Sequence, residues 1–176
     1  METTTRPGKL DSLANVATIV VSVLLSVVLV KAFLLPQTRP PANVAQPQVG
    51  MSMKQSLPGV DWARNKRTLI LAISTQCHFC TESAPFFQRI QKERASDLKL
   101  VAVLPQAVDE SRKYLEGEGV QVDDIKQATL NAIGVKGTPT LLLVDNNGKV
   151  ADVWQGKLPP DQEGGVLAIL KKNASL

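Results

Sequence analysis

The chain has 176 residues, a length that predicts one domain with an appendage and excludes a two-domain enzyme. Apolar residues make up 44% of it and the net charge is only +4, which argues against a wholly disordered chain. The charge is spread evenly: 4 Lys and Arg against 2 acids before residue 51, and 16 against 14 from there on. Without a basic arm or a basic stripe carrying aromatics, we expect no nucleic-acid partner.

The N-terminal part contains a long apolar stretch at residues 13–35, of which 16–30 carry no charge. The uncharged residues 16–30, Lys31 and the four residues after it together provide about 20 residues. This length is enough to cross a hydrocarbon layer of about 30 Å if the lysine reaches the headgroups. It could be an uncleaved signal anchor or a cleaved signal peptide. We favour the anchor, because no A-x-A cleavage pattern follows closely. The prediction is therefore a short segment at 1–12 and a transmembrane signal anchor at 13–35.

Residues 36–50 contain four prolines and no acid, which is typical of an extended spacer. A domain at 51–176 follows this Pro-rich linker. Its first apolar run and the run at 98–104 are predicted buried strands, and the helix expected between them makes the two strands parallel. The predicted elements, in chain order, are a strand at 67–74, a helix after residue 80, a strand at 98–104, helices at 109–116 and 123–133, a hairpin of strands 140–145 and 149–155 around an Asn-Gly turn, and a helix at 160–172.

The chain has only two cysteines and one histidine, and they fall together as Cys77-His78-Phe79-Cys80. This segment follows a predicted strand and begins a predicted helix, where backbone N–H groups and the helix dipole stabilise an anion. Cys77 is therefore the expected attacking thiolate. Cys80, one turn further and more buried, is expected to resolve the mixed disulfide that forms.

Two further side chains lie between the cysteines. The imidazolium of His78 could favour the Cys77 thiolate and make the pair more oxidising, or the histidine could be exposed without a role, and the sequence leaves both open. We interpret Phe79 as a packing or partner-contact residue. The rival hypothesis is a copper- or zinc-binding chaperone module that uses Cys77, His78 and Cys80, although these supply at most three ligands.

Over residues 50–172 the sequence resembles the thioredoxin-like superfamily, most closely its membrane-anchored TlpA-like thiol-disulfide oxidoreductases. The resemblance is carried by LILAISTQCHFC, by Pro85 in the first helix, by Gly137-Thr138-Pro139-Thr140 and by the hairpin segment VDNNGKV. It implies an α/β thioredoxin-like fold, with a central mixed β-sheet flanked by helices. It also implies a cis peptide bond at Pro139 facing the sulfurs, with Thr138 offering backbone groups to an extended substrate.

Together these features predict a thiol-disulfide oxidoreductase whose substrates are protein thiols and disulfides. No organic cofactor is implied, and electrons would pass to or from a membrane or periplasmic redox partner. An anchored redox module is useful where disulfides persist, so we expect a single-pass protein of the cytoplasmic membrane. Its C-terminal domain would face the periplasm or the cell exterior.

Overall fold

A computed structural model describes residues 18–26 and 49–172 of the chain. The chain divides into two compact units, residues 1–43 and 44–176. In the first unit, residues 18–26 are helical and their side chains are exposed. Most of the predicted anchor and linker lies outside the described residues. Within the described ranges, no helix combines the length and the apolar character that a bilayer crossing requires.

The second unit contains a mixed five-stranded sheet with the strand order β3-β2-β1-β4-β5. β1 pairs in parallel with β2, as the predicted crossover requires, and antiparallel with β4. β4 pairs antiparallel with β5, as the predicted hairpin requires. The predicted central mixed sheet is therefore confirmed. The strands are β1 Arg67–Ala72, β2 Leu98–Leu104, β3 Asp124–Gln127, β4 Thr140–Asp145 and β5 Val150–Gln155.

In the described part of this unit, four α-helices and one 3₁₀ helix flank the sheet. The helix predicted after Cys80 is interrupted at Ser83, which ends one helix and begins the next. Pro85 explains the interruption, because its ring clashes with the carbonyl group four residues earlier and it has no N–H to donate. The helices are α1 His78–Glu82, α2 Ala84–Glu93, α3 Val108–Gly117 and α4 Pro160–Lys171, with the 3₁₀ helix at Leu130–Ile133.

The helix predicted at 123–133 is wrong. The first part of this segment is strand β3, which pairs in parallel with β2, and only the part from Leu130 is helical. The free edge of β2 offers the backbone hydrogen bonds that a helix would otherwise have to make internally, and this tertiary contact overrides the local preference. The predicted stop is confirmed, since Gly134 ends the 3₁₀ helix with a φ of 73°.

Apolar side chains pack on both faces of the sheet, which explains the continuous apolar runs of its central strands. Successive β1 residues alternate between the faces: Leu69 and Leu71 belong to the cluster that includes residues of α2 and α4, and Ile70 belongs to the cluster on the other side. Because Ala72 at the end of β1 pairs with Thr140 at the start of β4, the segments beyond these two residues meet at one end of the sheet.

Candidate active site

Cys77 occupies the N-cap position of α1, directly after the turn that follows β1. Its Sγ accepts a hydrogen bond from the backbone N–H of Cys80 at 3.1 Å, and its own N–H donates to the Ser74 carbonyl oxygen at 3.1 Å. A donor aimed at the sulfur favours the thiolate in the reduced protein. The Cys77 side chain is half-buried, so it remains within reach of a substrate.

Cys80 lies on the inner side of α1 and is fully buried in the main apolar cluster. It forms a disulfide with Cys77, and the two Cα atoms are 5.2 Å apart. The pair is therefore asymmetric, with one accessible and one inaccessible sulfur. This arrangement suits an exchange reaction in which a substrate meets the first sulfur and the second completes the reaction.

The Thr138–Pro139 peptide bond is cis and lies beside the disulfide, as the resemblance implies. The Thr138 carbonyl oxygen is 3.4 Å from the Cys77 Sγ. Two hydrogen bonds fix this loop: the Thr140 hydroxyl donates to Gly137, and the Gly156 N–H donates to the Pro139 carbonyl oxygen, each at 2.7 Å. The fold thus brings together Cys77, Cys80, Thr138 and Pro139, while the role of Thr138 towards a substrate stays a prediction.

His78 is directed to an acidic side chain one turn along α1. Its Nε2 lies 3.2 Å from Glu82, and its side chain is 79% exposed. Glu82 also accepts a hydrogen bond from the Lys157 Nζ at 3.0 Å. The Lys157 ammonium, with a smaller contribution from His78, holds the pKa of Glu82 below its ordinary value. The tuning role of His78 stays a prediction, and its spacing of four residues could have identified Glu82 as its partner.

Phe79 projects from the same turn of helix into solvent, with 57% of its surface exposed. Its ring centroid is 5.8 Å from that of His78, so the two exposed rings are neighbours. A large apolar side chain in this position is available to a partner rather than used in the core. Phe79 is therefore not part of the buried core, and its contact with a partner stays a prediction.

A polar cluster behind the cysteines escaped the sequence analysis. Gln106, just after β2, bonds with its side-chain amide to Ser74 and Thr75 in the turn before Cys77. The Thr75 hydroxyl in addition donates to Glu110 at 3.0 Å. The carboxyl ends of adjacent parallel strands meet at one edge of a sheet, and this rule applied to β1 and β2 would have found Gln106.

The metal-binding hypothesis requires at least three ligands in one place. Within residues 18–26 and 49–172, no three His, Cys, Asp or Glu side chains lie close enough together to hold a metal ion. At this site the sulfurs of Cys77 and Cys80 are bonded to each other, and the His78 imidazole pairs with Glu82. The geometry gives the chaperone hypothesis no support.

Comparison with known proteins places this site in a family. The sequence-family model described as a thioredoxin-like domain matches residues 62–170 of this chain. A candidate thiol:disulfide interchange protein DsbE from Chlorobium tepidum has 28% identity and a TM-score of 0.51, with 62% of this chain and 81% of that chain covered. A thiol-disulfide isomerase from Corynebacterium glutamicum has 15% identity and a TM-score of 0.52, with 74% of this chain and 95% of that chain covered. A DsbF homologue from Corynebacterium diphtheriae has 15% identity and a TM-score of 0.50, with 61% of this chain and 74% of that chain covered.

The two corynebacterial structures are less than 25% identical to this chain and show the shared fold alone. No curated protein matched the sequence. The family model, in contrast, covers more than half of the chain and includes both cysteines and the cis-proline. The chain therefore belongs to the thioredoxin-like family, and thiol-disulfide oxidoreductases are among its structural neighbours.

Proposed function

We propose that this protein is a membrane-anchored thiol-disulfide oxidoreductase that acts on protein substrates outside the cytoplasmic membrane. The redox function is inferred mainly from the difference in burial between the two cysteines. The Cys77 sulfur is half-buried and receives the Cys80 N–H, whereas the Cys80 sulfur is fully buried. The apolar segment 13–35 and the Pro-rich linker support the anchored part.

The reaction transfers two electrons from the Cys77/Cys80 dithiol to a substrate disulfide. The Cys77 thiolate attacks a substrate disulfide, a mixed disulfide forms, and one substrate sulfur leaves as a thiolate. Cys80 then loses its proton and attacks the Cys77 sulfur, which releases the second substrate thiolate and leaves the Cys77–Cys80 disulfide. Run in reverse, the same steps oxidise a substrate dithiol. The carbonyl group of Thr138 and the exposed ring of Phe79 border the place where the substrate must lie.

Replacing the resolving cysteine tests this assignment. We expect reduced Cys80→Ser to accumulate a mixed disulfide with insulin, because the first attack proceeds and the second is abolished. Cys77→Ser is the matched control and should form no adduct, since its remaining thiol is buried. Non-reducing electrophoresis and mass spectrometry measure the adduct. Adducts of equal yield on both variants, or on neither, would contradict the proposed exchange.

A further inference from the structure

Gln106 joins the strand beside β1 to the turn that precedes Cys77. Its Nε2 donates to the Ser74 Oγ at 3.0 Å, and its Oε1 accepts the Thr75 N–H at 3.4 Å. The residue is itself held in place, because its carbonyl oxygen accepts the hydroxyl of the fully buried Ser111 at 3.4 Å. One half-buried amide therefore connects two consecutive turn residues to the adjacent strand.

The turn transmits this connection to the reactive sulfur through the backbone. The Ser74 Oγ also accepts the Gln76 N–H at 3.3 Å, and the Ser74 carbonyl oxygen accepts the Cys77 N–H at 3.1 Å. Each residue from 74 to 77 thus takes part in one of these hydrogen bonds. None of the bonds joins Gln106 to the Cys77 sulfur directly, so the turn is the link between them. Where the turn lies determines where the Cys77 Sγ lies.

We propose that Gln106 is a positioning residue for Cys77, which holds the sulfur where the Cys80 N–H stabilises its thiolate. The N–H to sulfur distance of 3.1 Å is within hydrogen-bond range, and such bonds weaken steeply when distance or angle is lost. The inference rests on the proposed function in that the Cys77 thiolate is the nucleophile. It assigns a task to a residue outside both the cysteine motif and the cis-proline loop.

The test measures the thiolate directly, by the rate at which iodoacetamide alkylates Cys77 as a function of pH. All variants are made in the full chain with Cys80→Ser, so that one thiol reacts. We expect Gln106→Ala to move the titration midpoint to higher pH and to slow alkylation below that midpoint by about threefold, since the thiolate is the reacting species. The control is Gln88→Ala, which removes a half-buried amide that donates to the Glu118 carbonyl oxygen at 2.8 Å.

A merely structural role would lower thermal stability in both Gln variants and leave both alkylation profiles unchanged, and that result would overturn the proposal. Ser74→Ala provides a second route should Gln106→Ala not fold. It should also shift the midpoint upward, and the double variant should shift it by less than the sum of the single shifts, as expected for side chains in one network. Fully additive shifts would contradict the proposed connection.

The assay separates this inference from the proposed function, because alkylation requires no substrate protein. If Gln106→Ala shifts the Cys77 alkylation profile in the Cys80→Ser background, but no insulin adduct forms on Cys80→Ser, the exchange function fails and the positioning role stands. If the adduct forms and the Gln106→Ala profile matches that of the control, the positioning role fails alone.

Discussion

Phe79 is a large apolar side chain of α1 that is exposed and not buried. Its neighbour Cys80 is fully buried, whereas 57% of the Phe79 surface is exposed. Exposing a large aromatic ring forgoes the apolar burial that would stabilise the fold. A ring in this position is instead available to bury apolar surface of a bound protein chain, which agrees with a substrate that is a protein rather than a small thiol.

We therefore expect Phe79→Ala to lower kcat/KM for insulin reduction by about fivefold, the equivalent of losing an aromatic contact of about 1 kcal/mol. The rate with a small disulfide should remain unchanged, because a small molecule does not reach the ring. Ile169→Ala is the control, since Ile169 is another exposed apolar side chain and lies on α4. Equal losses for the protein and the small disulfide would contradict a docking role.

At the scale of elements, the turn between β4 and β5 depends on a glycine. Gly148 has a φ of 70°, and a Cβ added there would lie 2.8 Å from the Lys54 Cγ. The Gly148 carbonyl oxygen accepts the Met53 N–H at 2.7 Å, so the turn also holds the segment that enters the domain. The left-handed conformation favours glycine, and the close approach of Lys54 leaves little room for a side chain.

Gly148→Ala should lower the free energy of unfolding by about 1 to 2 kcal/mol, the cost of a left-handed non-glycine residue. Gly164→Ala, in α4 with no atom within 4 Å of the added Cβ, should raise it by about 0.5 to 1 kcal/mol. Urea denaturation measures both values. A Gly148→Ala variant as stable as the wild type would contradict the argument from backbone conformation.

Asp123 connects the end of α2 to the start of β2. Its carboxylate forms a two-point ion pair with Arg94 and accepts the Leu100 N–H at 2.7 Å. The Arg94 guanidinium, and less strongly the Leu100 N–H, hold the pKa of Asp123 below its ordinary value. A depressed pKa of this kind makes the folded state more stable above the unfolded pKa, and the stabilisation disappears as the pH falls through the folded pKa.

Asp123→Asn should therefore cost about 1 kcal/mol at neutral pH, a modest value because the pair is partly exposed. The difference from wild type should shrink below about pH 4, where the unfolded carboxylate takes up its proton. Asp124→Asn is the matched control and should cost less, since its carboxylate pairs with two lysines, the nearer being Lys126 at 3.2 Å, and not with a two-point arginine partner. A difference that is independent of pH would contradict the charge argument.

At the scale of the whole molecule, hydrogen bonds to β5 fix the segment at residues 50–51 through which the chain enters the domain. The Gly50 N–H donates to the Val150 carbonyl oxygen at 2.7 Å, and the Val150 N–H donates to Met51 at 2.9 Å. Val150 begins β5 after the hairpin turn, at the end of the sheet remote from Pro139. The entry segment and the disulfide thus lie at opposite ends of this unit.

The proposed anchor predicts that the full chain sediments with membranes after an alkaline wash. A variant without residues 2–35 should be released into the soluble fraction, because the apolar segment has been removed. Protease added to intact spheroplasts should degrade the domain of the full chain. A domain that remains uncut while an external control protein is cut would overturn the proposed location.

The parts predicted well from sequence are those decided by short-range patterns. The apolar run of β2 and the Asn-Gly turn of the β4–β5 hairpin both lie where predicted, because a continuous apolar run and turn chemistry are patterns of neighbouring residues. The Cys77-His78-Phe79-Cys80 segment indicated a redox site for the same reason. The resemblance added the cis-proline, which spacing alone does not reveal.

Only the tertiary structure decided features that depend on residues far apart in the chain. β3 forms because β2 offers an open edge, a contact that no local propensity encodes. Lys157 meets Glu82, and Gln106 meets Ser74, because separate elements end at one edge of the sheet. The sequence by itself identified the cysteine pair and the strand and helix on either side of its first cysteine. The packing of the sheet determined which groups surround and orient those atoms, because strand pairing brings distant segments within hydrogen-bond distance.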